Sequence, residues 1–203
     1  MFQFGKLRNH LIQQKFVYLI ILSLFILGFF IGGFYANLPE TGDFKDALTQ
    51  AEQFILASKS SNLDFKLLFS EDITPYLFIF ASSLFLFGLP VMVFFVFKTG
   101  FSSGFFLTFL IKAFGLKGFF LGGVFLLIQI VCSLPALLIV TCRSYYTNRF
   151  LLCAVTHQLS LKQSLKTELL LLTTSFLLGC LLMLLGVTAK TFLLPPICNY
   201  LFL

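Results

Sequence analysis

KTGFSSGFFLTFLIKAFGLKGFFLGGVFLLIQIVCSLPALLIVTCR, residues 98–143, is the stretch whose reading decides the fold. It holds two apolar runs, 101–111 and 119–142, around a turn that contains Lys112, Gly115, Lys117 and Gly118. A helix that crosses a bilayer needs about 20 apolar residues. The second run is ample and the first is short. From Lys98 to Lys112 a helix rises about 21 Å at 1.5 Å per residue, against a hydrocarbon core of about 30 Å. In one reading, residues 99–115 cross as a thin span whose lysines snorkel to the interfaces. In the other they form a re-entrant hairpin, and Lys98, Lys112 and Lys117 all stay on the cytoplasmic side. The re-entrant reading carries Arg143, Arg149, Lys162 and Lys166 outside, against the retention of positive charge in the cytoplasm. The loop charges therefore favour two crossings here and five in all.

Outside this stretch the chain has the same character. Of its 203 residues 59% are hydrophobic and 11% charged, with a mean hydropathy of +1.00. Soluble domains are nearer half apolar and a quarter charged. The expected fold is all-α, a single polytopic membrane helical bundle over 1–203 with about five transmembrane helices, the N-terminus inside and the C-terminus outside. The net charge of +6 sits in short flanks of apolar runs, where it sets orientation, so no nucleic-acid partner is expected. The spacing of the cysteines fits no metal pattern. Cys132, Cys142, Cys153 and Cys180 read as small apolar residues.

Residues 1–15 form a basic cytoplasmic tail ahead of a first span from Phe16 to Leu38. That run is too long for the apolar region of a signal peptide. Gly28 and Gly32 make a small-xxx-small pair suited to close helix approach. Residues 38–74 hold seven of the eight acids and read as an extracytoplasmic loop. Phe44, Leu48, Ala51 and Ile55 give an amphipathic helix over 43–57, and Thr74-Pro75 reads as a cap and first turn. A second span over Pro75–Phe97 is kinked at Gly88-Leu89-Pro90. After the fourth span, residues 143–167 read as a cytoplasmic amphipathic segment. Glu168 opens a fifth span to about Leu185, and 186–203 finish outside.

No HExxH or P-loop motif occurs, and no Asp or Glu lies inside a predicted span except Glu168 at an edge. Ion-coupled transport ordinarily needs such a group. The expectation is therefore a non-enzyme without cofactor or metal. Its helix-packing or interaction candidates are Gly28, Gly32, Gly100, Gly104, Gly115, Gly118 and Pro135.

Three pieces in order carry a family resemblance: GLPVMVFFVFKTGFSSGFF (88–106), GLKGFFLGGVFLLIQIVCSLPALLI (115–139), and the glycine and proline spacing from Gly186 to Pro195. Together with the basic N-terminus and the single acidic outer loop, they resemble stage II sporulation protein M of endospore-forming bacteria. Gly115-Leu116-Lys117-Gly118-Phe119 resembles that family's Gly-x-His-Gly-Phe turn, with Lys117 where the family often has His. The resemblance implies a multi-pass protein of the cell membrane needed for forespore engulfment. It further implies a scaffold for two wall-remodelling partners, an amidase/endopeptidase and a lytic transglycosylase. The outer loop 38–74, the helix faces with Gly28/Gly32 and Gly100/Gly104, or both, would make the contacts, and a homo-oligomer is a further expected assembly. A permease-like or channel-like subunit working with a separate ATPase is the alternative, since kinked helices and close-packing glycines also serve transport folds.

Overall fold

A computed structural model describes residues 4–37, 65–85, 88–157 and 161–202. The amphipathic helix expected over 43–57 lies outside the described residues. The described chain is helical: α1 (Phe4–Ala36), α2 (Phe65–Ser82), α3 (Gly88–Ile128), a π-helical turn (Gln129–Ser133), α4 (Leu134–His157) and α5 (Leu161–Phe202). Three stretches are long and apolar enough to cross a membrane: Lys15–Ala36, Gly88–Ala154 and Lys166–Leu201.

The Gly88–Ala154 stretch is not one rod. Gly115 has φ 59 and ψ −131, a conformation nearly confined to glycine. There the chain doubles back. Gly118 then lies against the Leu110 carbonyl and Gly122 against Leu107, so 88–114 and 116–128 run antiparallel as a hairpin. The arm 88–114 is one unbroken helix about 40 Å long. This differs from the expected division into a kinked span 75–97 and a thin span 99–115. Lys98 and Thr99 sit within the helix, and the breakpoint falls earlier, at the turn after Ser82. Gly88 opens α3 and Pro90 occupies its first turn, where a missing N–H costs no helical bond.

Position within α2 changes too. The helix begins at Phe65, and Pro75 lies inside it. Thr74 Oγ1 donates to the Ser70 carbonyl and caps nothing. The second half of the chain shows a related shift. Residues 143–157 do not lie flat as a surface segment. They continue α4 into the bundle, with Ser144, Thr147 and Asn148 buried. Asn148 Nδ2 donates to the Phe85 carbonyl, which ties the α2–α3 turn to α4. Glu168 lies within α5, paired with Arg143, and α5 continues as helix through 186–202 rather than ending near Leu185.

Contacts fix the relative directions. Gly100 faces Phe25, Gly104 faces Phe29, and Gly33 faces Thr108, so α1 and the first arm of α3 are parallel. Phe78 stacks on Phe95 and Phe80 meets Phe176, which with Lys190–Asp72 makes α2 antiparallel to both α3's first arm and α5. Gly179 meets Val140 while Gly186 meets Cys132, so α5 runs against α4. Ile79, Val96, Leu137, Val140, Met183 and Val187 pack in the core where these helices converge.

Candidate functional site

Helices α2, α3 and α5 and the π-turn enclose a cavity of about 550 Å³ whose lining is unusually polar for its surroundings. Its deepest charge is Lys190, 2% exposed. The ammonium lies 2.6 Å from Asp72 Oδ2 and 4.6 Å from the centre of the Phe125 ring. An ion in apolar surroundings is costly unless paired and hydrogen-bonded, and a cation over a ring face gains further attraction. Lys190 has both forms of support.

The wall opposite is built by α3 and the π-turn. Gln129 Nε2 donates to Ser103 Oγ at 2.7 Å, and Ser103 donates in turn to the Thr99 carbonyl. Gln129 and Ser133 bracket the π-turn and both line the cavity. Turns of this kind widen a helix by one residue and recur at functional sites. Pro135 follows at once, and its missing N–H leaves a carbonyl one turn earlier unbonded, which a widened turn accommodates. Tyr76 donates its hydroxyl to the Ser133 carbonyl at 2.8 Å and closes the floor. Gln129 Oε1 and Ser133 Oγ are buried without a hydrogen-bond partner.

Depth follows from the chain of contacts. Phe25 and Phe29 of α1 are level with Gly100 and Gly104. Ser103 is joined to Gln129, and Phe125, one turn from Gln129, lies against Lys190. The Asp72–Lys190 pair is thus level with the middle of the apolar stretch Lys15–Ala36. The sequence reading placed Asp72 in the outer loop and no acid within a span. The structure corrects this: α2 carries Asp72 down beside the other helices, because helix starts at Phe65 and not at Pro75. A lone lysine in the otherwise apolar run from Leu169 onward was the available signal for its partner.

The glycine candidates lie elsewhere. A Cβ on Gly28, Gly32, Gly100 or Gly104 would collide with backbone of the facing helix. The two small faces are spent on each other in the α1–α3 seam. A partner reaching either face would have to part that seam. Gly115 and Gly118 shape the hairpin, and Pro135 borders the π-turn. None of the seven candidates lines the cavity. Cys132, Cys142, Cys153, Cys180 and Cys198 form no disulfide. Among the described residues no three His, Cys, Asp or Glu side chains gather as metal ligands.

A helical membrane bundle with a polar cavity at mid-depth is the class that this fold and site define. A family model described as stage II sporulation protein M, SpoIIM, matches residues 21–194. The chain belongs to the SpoIIM family, a sporulation-related family of membrane proteins. No curated protein and no solved structure matches it.

Proposed function

We propose that this chain is a non-enzymatic, multi-pass subunit of the cell membrane that holds wall-remodelling enzymes at the septum during forespore engulfment. The observation that carries the reading is the SpoIIM match over residues 21–194, which takes in helical segments from α1 to α5. Its partners in this reading are an amidase/endopeptidase and a lytic transglycosylase, and the chemistry on peptidoglycan is theirs. Five crossings with the N-terminus inside are supported by the helix directions. With α1 pointing outward, α3's first arm and α5 point outward, while α2 and α4 return. That arrangement gathers Arg143, Arg149, Lys162 and Lys166 at the end that carries Lys6, Arg8 and Lys15, as the charge rule asks. It leaves Ala36 and Phe65, the helix ends on either side of the acid-rich part of the sequence, at the other end.

The experiment is a gene deletion in the sporulating host with both hydrolases followed by fluorescence. The expected result is arrested engulfment with both enzymes made but dispersed. Hydrolases that still gather at the septum would remove the scaffold role.

The cavity favours a second reading, a permease-like subunit that works with a separate ATPase. Transport folds place substrate sites near the midplane at interrupted helices. Here the π-turn and the Asp72–Lys190 pair meet at that level. Co-purification with a nucleotide-binding protein whose ATP hydrolysis rises in its presence supports this reading, and purification without one counts against it.

A further inference from the structure

The cavity holds two charged side chains with no counter-ion among the described residues. Lys98 on α3 and Glu71 on α2 are both exposed and both line it, yet they form no ion pair with each other or with any other described residue. Lys98 rests 5.8 Å from the centre of the Phe95 ring. It lies close to the middle of its membrane-length helix, where an uncompensated charge is costly. One turn along, on the same face, Ser102 presents its hydroxyl. On the opposite wall, Pro75 has no N–H to offer the Glu71 carbonyl. Deeper in, the Ser133 hydroxyl is 7% exposed and unpartnered.

Counting Asp72 and Lys190, the lining carries two positive and two negative groups. A purely anionic ligand that satisfies Lys98 would face Glu71, and a purely cationic one that satisfies Glu71 would face Lys98. A group with both charges satisfies the two together and keeps the site neutral. We propose that this cavity binds a small zwitterionic group, with its phosphate or carboxylate on Lys98 and Ser102 and its primary ammonium on Glu71. The same chemistry is offered by the headgroup of a zwitterionic phospholipid entering between α2 and α3, and by a free zwitterionic solute. The inference stands apart from both functional readings, because it needs neither a hydrolase nor an ATPase.

The test uses the full chain purified in detergent, with phosphatidylethanolamine, phosphatidylglycerol and free glycerophosphoethanolamine as probes, and binding read by native mass spectrometry and thermal shift. Wild type is expected to bind an ethanolamine probe at least about tenfold more tightly than phosphatidylglycerol. Lys98→Gln and Glu71→Gln should each weaken it by about tenfold or more, the loss of one charge-assisted hydrogen bond. Saturation by the lipid alone identifies a headgroup, and saturation by free glycerophosphoethanolamine identifies a solute. Equal binding of phosphatidylglycerol, no saturable binding of either ethanolamine probe, or unchanged affinity in both variants overturns the proposal. The headgroup preference of the wild type decides the matter even if a variant fails to fold.

Discussion

Lys190 of α5 and Asp72 of α2, 118 residues apart, are joined by a 2.6 Å ion pair level with the middle of the apolar stretch Lys15–Ala36. Among the described residues it is the one ion pair between α2 and α5. Its energetics differ from those of a surface bridge. Breaking a buried pair by removing one partner typically costs about 3–5 kcal/mol, whereas replacing both with apolar groups is often neutral. Asp72 keeps 28% of its side chain exposed, so solvent screening reduces the figure for Asp72→Ala to about 2 kcal/mol. The double variant Asp72→Ala/Lys190→Met should recover most of that loss. Thermal unfolding in detergent measures both, and a double variant less stable than Asp72→Ala alone contradicts the assignment.

The α1–α3 seam makes a sharper contrast. Gly104→Ala drives a methyl into the Phe29 carbonyl, and overpacking of this kind costs about 1–3 kcal/mol. Gly123 is also helical, but a Cβ there meets nothing within 4 Å. Gly123→Ala should instead be neutral or gain up to about 1 kcal/mol from helix propensity. Equal shifts in Tm for the two would mean that the seam is not packed this way.

At the hairpin, space is plentiful around Gly115 and the backbone is the constraint. Its φ of 59 with ψ −131 strains any L side chain by about 1–3 kcal/mol. Gly115→Ala is therefore expected to lower stability by that amount despite the open surroundings. A wild-type melting curve for Gly115→Ala would place the reversal elsewhere.

The proposed five crossings with the N-terminus inside can be tested at the same hairpin. In a background lacking the five native cysteines, Leu116→Cys should react with an impermeant maleimide in intact cells. Leu84→Cys, in the α2–α3 turn, should react only after permeabilisation. Both positions are exposed. Labelling of the two on one side rules out the five-crossing arrangement.

Much of this protein was legible before its structure. Apolar length gave the helices. Order and spacing of the glycine-rich pieces gave the family. Boundaries were harder. Pro75 looked like the start of a helix because proline favours a first turn, and Gly88-Leu89-Pro90 looked like a kink. In the fold their roles are exchanged: Pro75 is tolerated inside α2, and Gly88 and Pro90 begin α3. The reason is that a helix forms where its faces are buried. Leu68, Tyr76 and Ile79 pack into the core, which outweighs the local preference of one proline.

The sequence by itself determined the solvent of this chain, its helical class and its family, since these depend on composition and on order along the chain. Where the charges stand was decided only by tertiary structure. Asp72 lies in the most acidic part of the sequence and Lys190 in one of its most apolar parts. Neither position announces a partner. Packing α2 against α5 brings them together, because an ammonium carried into an apolar bundle is stable only where another helix supplies a carboxylate at the same depth.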